Sequence, residues 1–165
     1  MRVVLDTNVL AAAFFSTGTC SEIYQICVAG HSLLRSERLV DELRKTLAGK
    51  MKVPIARVES NLEEFAASSL LIVPESIPVS ACRDPRDLHI LGLAVGGAAD
   101  LVVSGDDDLL VLGSFRGIPI LKPRDSMRDL IVNPGKNPPT GPDRQSGGFT
   151  VGERRQRYGA RRRLG

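Results

Sequence analysis

Short apolar runs recur along the chain at 3–5, 32–35, 70–73, 101–104 and 118–121. Each is too short for an amphipathic helix, so each predicts a buried strand. Between them, apolar residues return every three or four positions. This spacing covers 21–29, 37–48 (Leu39, Val40, Leu43, Leu47), 55–68 (Ile55, Val58, Leu62, Phe65) and 85–95, and it predicts helices with one buried face. Strands alternating with helices predict right-handed crossovers and an α/β fold. Its three layers would hold a central parallel sheet of about five strands, covered on both faces.

The pattern stops at Pro134. Of the last 32 residues, 11 are Gly or Pro, and only Phe149, Val151 and Leu164 supply large aliphatic or Phe side chains. Such a segment buries too little to order itself. One domain is therefore expected over residues 1–133 and a disordered, basic tail over 134–165. The full 165 residues, 42% hydrophobic and 25% charged, suit a single globular domain and exclude disordered and collagen-like classes. Asp6 and Asn8 interrupt the apolar N-terminal stretch, which argues against a secretory signal. No apolar run reaches the length of a membrane helix. Cys20, Cys27 and Cys82 are odd in number and lack paired-ligand spacing, so neither a disulfide framework nor a zinc ribbon is expected. A soluble, cytoplasmic protein with no membrane partner is the expectation.

A net charge of +3 and a pI near 9.0 invite a nucleic-acid partner, but position changes what the charge means. Residues 1–133 carry 14 Lys and Arg against 17 Asp and Glu, and residues 134–165 carry 8 against 2. The domain is acidic, and the positive charge belongs to the tail.

The acids have a pattern. In an open parallel sheet, ligands gather at the carboxyl ends of the strands. The first strand runs into Asp6-Thr7-Asn8, and the fourth, Leu101-Val102-Val103-Ser104, runs through Gly105 into Asp106-Asp107-Asp108. Glu42 lies roughly 115° around its helix from the apolar stripe, at the border of the core. Asp84-Pro85-Arg86-Asp87 opens the 85–95 helix with two acids on one face. Carboxylates converging without His or Cys make an oxygen-only site suited to Mg²⁺ or Mn²⁺. A divalent ion relieves their repulsion and supports phosphodiester hydrolysis.

Val4-Leu5-Asp6-Thr7-Asn8-Val9-Leu10, the Glu42 helix, Arg83-Asp84-Pro85-Arg86-Asp87 and Val103-Ser104-Gly105-Asp106-Asp107-Asp108 stand in an order that resembles the PIN-domain family. Within it, the likeness is to the VapC-like toxins of bacterial toxin-antitoxin systems. It covers roughly residues 2–131 and ends on Gly117-Ile118-Pro119-Ile120-Leu121 as a final strand. The resemblance implies a metal-dependent endoribonuclease whose catalytic and metal-holding acids are Asp6, Glu42, Asp87 and Asp106. Asn8 and Ser104 would orient the first acid and a metal-bound water, and Asp84 and Asp108 would be auxiliary. It also implies an RNA substrate, a homodimer, and a cognate antitoxin whose peptide covers the groove. The chain departs from the family pattern in two places: Asp107 stands where Lys is common, and Leu88-His89 replaces an acidic run.

Several of these residues also have a purely structural account. Asp84 before Pro85 reads equally as a helix cap, and Asp106 can cap a helix over 107–112, with Asp107 a solvated first-turn charge. His89 reads as a helix-flank histidine, His31 as a turn residue, and Cys20 and Cys27 as small hydrophobes on one helical face. Arg35, Arg38, Arg44, Lys45, Lys50 and Lys52 form a solvated face or an RNA guide. The tail's Arg154–Arg163 run is either a phosphate-binding segment or an unselected extension. Two other functions compete with the nuclease. One is an inactive PIN-like binding module in an RNA or antitoxin complex. The other is a small-molecule phosphatase of the haloacid dehalogenase type, disfavoured because Asn8 stands where that chemistry needs a second acid.

Overall fold

Val3, Val4 and Leu5 are buried on both faces of the strand they form, β1 (Arg2–Leu5), as an unbroken apolar run requires of a central parallel strand. The computed structural model describes residues 1–133, so the expected disorder of 134–165 lies outside the described residues. β1 pairs in parallel with β2 (Ser32–Arg35) on one side and with β4 (Leu101–Val103) on the other. β3 (Ser69–Leu71) extends the sheet beyond β2, and β6 (Ile118–Leu121) extends it beyond β4. β5 (Ser114–Phe115) adds an antiparallel edge to β6. The order is β3-β2-β1-β4-β6-β5.

Among the described residues the sheet thus has six strands: five run parallel, as expected, and β5 adds one antiparallel edge. The extra strand is a two-residue hairpin arm. Positive φ at Gly113 leads into the arm and positive φ at Arg116 and Gly117 makes its turn to β6, a backbone feature that hydrophobic spacing does not report.

Among the described residues seven α-helices accompany the sheet: α1 (Thr7–Phe15), α2 (Thr19–Gly30), α3 (Glu37–Lys45), α4 (Ile55–Ala67), α5 (Leu88–Gly96), α6 (Asp107–Leu110) and α7 (Pro123–Val132). The four expected helices are present with adjusted ends. α3 begins at a cap where Ser36 accepts from the Leu39 amide at 3.3 Å, and it continues into a π-helical turn over Thr46–Lys50. A 3-10 turn over Pro85–Asp87 precedes α5. Hydrophobic spacing predicts neither α1 nor α7. α1 buries residues on most of its circumference (Val9, Leu10, Ala11, Ala13), so it carries no polar stripe to betray a helical period. α7 packs against α2, and its Leu130 carbonyl meets Nε2 of the buried His31 at 3.0 Å. His31 therefore joins the start of β2 to α7. Among the described residues no helix is long and apolar enough to cross a membrane.

From β1 the chain crosses to β2 on one side, while β4 occupies the other side. The carboxyl ends of β1 and β4 therefore flank a crevice where the direction of strand succession reverses, the usual place for a ligand in a doubly wound sheet. Paired Leu5 and Val103 place the residues that follow them side by side.

α5 borders this crevice and is held from outside by the extended segment 72–78, whose Glu75 amide donates to the Gly92 carbonyl at 2.9 Å. A Cβ at Gly96 would lie 2.6 Å from the Val73 carbonyl oxygen and 2.9 Å from the Glu75 nitrogen. These neighbours are backbone and cannot swing away. Gly96→Ala is accordingly expected to cost about 1–3 kcal/mol, measured as a lower urea midpoint at unchanged m-value. An unchanged midpoint would show that the 72–78 segment is not held against α5.

Candidate active site

Asp6 follows directly on β1 and sits at the N-cap position of α1, 5% exposed, with no side-chain capping bond. Its partner comes from the neighbouring strand: the Ser104 hydroxyl donates to Asp6 Oδ2 at 2.8 Å and accepts from the Asp106 amide at 3.0 Å. Ser104 is fully buried, so one hydroxyl fixes the first acid and the turn that presents the fourth. Asp106 Oδ1 accepts from the Asp108 amide at 2.8 Å and caps α6. The capping account of Asp106 therefore holds, and the same residue also faces the crevice.

Glu42 reaches the crevice from α3. Thr7 Oγ1 donates to Glu42 Oε2 at 3.1 Å, His89 Nε2 lies 2.9 Å from the same oxygen, and Arg38 Nε stands 4.0 Å from Oε1. Asp87, at the start of α5, has an Oδ2 that is buried and without a hydrogen-bond partner.

Asp6, Glu42, Asp87 and Asp106 all line one cleft of about 370 Å³, and Asn8 and His89 line it with them. Lys45, Lys50 and Arg86 contribute positive charge to its wall. The tightest acid group is a different combination. Carboxylate oxygens of Asp84, Asp87 and Asp108 lie within 4.8 Å of one another, the one such group of three among the described residues. Two of the auxiliary acids are thus gathered on Asp87, while Asp6, Glu42 and Asp106 stand farther apart around the cleft. Asp84 also acts as a cap, accepting from the Arg86 amide at 2.9 Å and from the Arg86 guanidinium at 2.6 Å. Arg83 pairs with Asp108. Asp107 is exposed and lines a neighbouring hollow with Arg83 and Lys122, so its extra charge does not sit on the wall of the cleft.

The electrostatics follow from this crowding. Burial pushes the Asp6 carboxyl up, against the opposing Ser104 hydrogen bond, and the charges of Asp106 and Glu42 add to the rise. Asp87 is pushed up to about 6, first by burial and then by repulsion from Asp106, Asp6, Asp84 and Asp108. Asp84 goes the other way, held down by its bonds to Arg86. Burial favours the neutral His89 imidazole, opposed by the charge of Glu42. An oxygen-only donor set, mutual repulsion and an orphaned buried carboxylate oxygen on Asp87 together fit a hard divalent cation.

Thr7 and His89 stand closer to the cleft's acids than their places in the sequence indicate. Thr7 lay inside the Asp-Thr-Asn motif but had no assigned partner, because its contact is with a helix 35 residues away. His89 is 8% exposed and turned into the cleft instead of flanking its helix. The available signal was a lone polar residue in the otherwise apolar Leu88–Val95 segment, two positions after Asp87.

A strand-end acid held by the next strand, with three more acids around the same switch-point crevice, defines a class. The sequence profile of the PIN domain matches residues 2–108, and the chain belongs to the PIN-domain family. Its fold is similar to the crystal structure of VapBC2 from Rickettsia felis bound to a DNA fragment from their promoter. That match has a TM-score of 0.53 and 14% sequence identity, and it covers 73% of this chain and 97% of that chain. No curated protein matches the chain.

Proposed function

We propose that this PIN domain is a metal-dependent endoribonuclease hydrolysing RNA phosphodiester bonds, and that it serves as the VapC-like toxin of a toxin-antitoxin pair. The observation that carries the reading is the buried, unpartnered Asp87 oxygen in a cleft shared with Asp6, Glu42 and Asp106. Those four acids are proposed as the catalytic and metal-holding set for Mg²⁺ or Mn²⁺, with Asn8, Ser104, Asp84 and Asp108 auxiliary. Held by those acids, a divalent ion would supply Lewis-acid activation of a phosphate and of water at neutral pH.

The protein's own part is placement. Ser104 holds Asp6 in one rotamer. Thr7 and His89 hold Glu42. Lys45, Lys50 and Arg86 offset a cleft that would otherwise repel a polyanion. Likeness to VapBC2 supports an antitoxin partner, and a homodimer is proposed with it. The catalytic unit is proposed to be residues 1–133, with 134–165 an appended basic tail.

Incubating the purified full chain with single-stranded RNA, in Mg²⁺ or Mn²⁺ and in EDTA, tests the reading. Cleavage is expected with the ions and none in EDTA. Equal cleavage in EDTA would overturn the metal requirement. Ion binding without turnover on any RNA would instead favour the inactive binding module.

A further inference from the structure

We propose that His89 and Thr7 form a clamp that positions Glu42 for cation binding, an inference that rests on the nuclease reading above. Both groups converge on a single carboxylate oxygen. Thr7 Oγ1 is 3.1 Å from Glu42 Oε2, and His89 Nε2 is 2.9 Å from it. The other oxygen, Oε1, has Arg38 Nε at 4.0 Å and nothing closer from a basic side chain among the described residues. One directed hydroxyl donor and one close ring nitrogen on the same oxygen fix the rotamer of a long, half-exposed acid and leave its second oxygen for a ligand. The clamp comes from two different elements, since Thr7 opens α1 and His89 lies in the first turn of α5. Glu42 is thereby tied to the helices that carry Asp6 and Asp87.

The close approach to Glu42 is the one polar contact of the His89 ring among the described residues. Its Nδ1 is buried and has no hydrogen-bond partner, so the ring gains nothing from that nitrogen. An ionised carboxylate oxygen only accepts, so the ring nitrogen that meets it, Nε2, is the one that carries the proton. His89 acts through Glu42 and is a positioning residue. Partners that orient a metal-binding carboxylate typically change metal affinity by about 10–100-fold when removed.

Mn²⁺ binding to the full-length protein, followed by the electron paramagnetic resonance of free Mn²⁺, tests the clamp without requiring turnover. His89→Leu and Thr7→Val are each expected to weaken Mn²⁺ binding, His89→Leu by about 10–100-fold. His89→Gln returns an N–H donor at a similar reach and is expected to restore binding to within about threefold of wild type. In RNA cleavage, the loss in His89→Leu should fall mainly on the Mn²⁺ concentration needed, with kcat recovered at saturating ion. Wild-type affinity in both His89→Leu and Thr7→Val would overturn the clamp, as would nitrogen hyperfine coupling to bound Mn²⁺, which would make His89 a ligand. If His89→Leu does not fold, Thr7→Val and His89→Gln carry the same comparison. A wild-type protein that binds no Mn²⁺ would defeat the nuclease reading itself, a result distinct from normal binding in the variants.

Discussion

Asp6→Asn is expected to reduce RNA cleavage by at least about a thousandfold while leaving the protein as stable as wild type or more so. Loss of one preorganised group at the reacting centre typically costs 10²–10³ in rate, and here the same change removes a negative charge from the proposed ion site. The geometry survives, because Asn is isosteric and its carbonyl oxygen can accept the Ser104 hydroxyl that now meets Oδ2 at 2.8 Å. Stability moves the opposite way. Asp6 is 5% exposed and burial pushes its carboxyl up, so its charge opposes folding in the absence of an ion. Single-turnover cleavage rates together with thermal unfolding in EDTA measure both effects. An active Asp6→Asn enzyme would remove this acid from the site. An inactive but unfolded one would reduce it to a structural residue.

That Asp6 could be singled out at all reflects how local its signal is. Three buried aliphatic residues ending in an acid announce a strand edge, and Leu101-Val102-Val103-Ser104 announces the neighbouring one. Pairing of β1 with β4, and with it the Ser104 contact, follows once both strands are central and parallel. Other features depend on information that periodicity does not carry. α1 packs on most of its circumference, so no polar face marks its turns. α7 depends on docking to α2 and on the buried His31 beneath it. The β5 hairpin depends on left-handed backbone at Gly113, Arg116 and Gly117.

The site divides in the same way. Residues within one motif, such as Asp84 capping its own turn, are legible from spacing. The pairing of Glu42 with Thr7 and His89 is set by how α3 meets α1 and α5, which single-helix patterns leave open. The gathering of Asp84, Asp87 and Asp108 into the tightest acid group is likewise a product of where α6 lies against the Pro85 turn.

That gathering leads to an expected reversal of stability between wild type and Asp87→Asn. In EDTA the variant should be the more stable, by a margin that grows as pH rises from about 4 to about 7. Asp87 titrates near 6 in the folded protein against 3.8 for its ordinary value, so between those values the native state holds a proton that the unfolded chain has released. Stability from this group is complete below 3.8 and is lost as pH rises through about 6. Such a shift corresponds to about 3 kcal/mol unscreened, and to roughly 1–2 kcal/mol once partial solvent access is counted. Burial lowers the pKa values of His89 and His31, which makes stability rise with pH near 6.5, and Arg86 lowers that of Asp84, with the same sign at lower pH. Comparing the variant with wild type at each pH removes these contributions to first order. Adding Mg²⁺ or Mn²⁺ at a hundred times the dissociation constant should stabilise wild type by about 2.7 kcal/mol, or about 5–10 °C in Tm for a chain of this size. Asp87→Asn should gain much less, because its amide offers a weaker ligand where the buried, unpartnered oxygen stood. The order of the two proteins at pH 7 therefore inverts on adding the ion. Calorimetric scans of both, at pH 4, 5, 6 and 7 with EDTA or ion, decide the matter. A parallel rise of both proteins with the ion would place the cation away from Asp87.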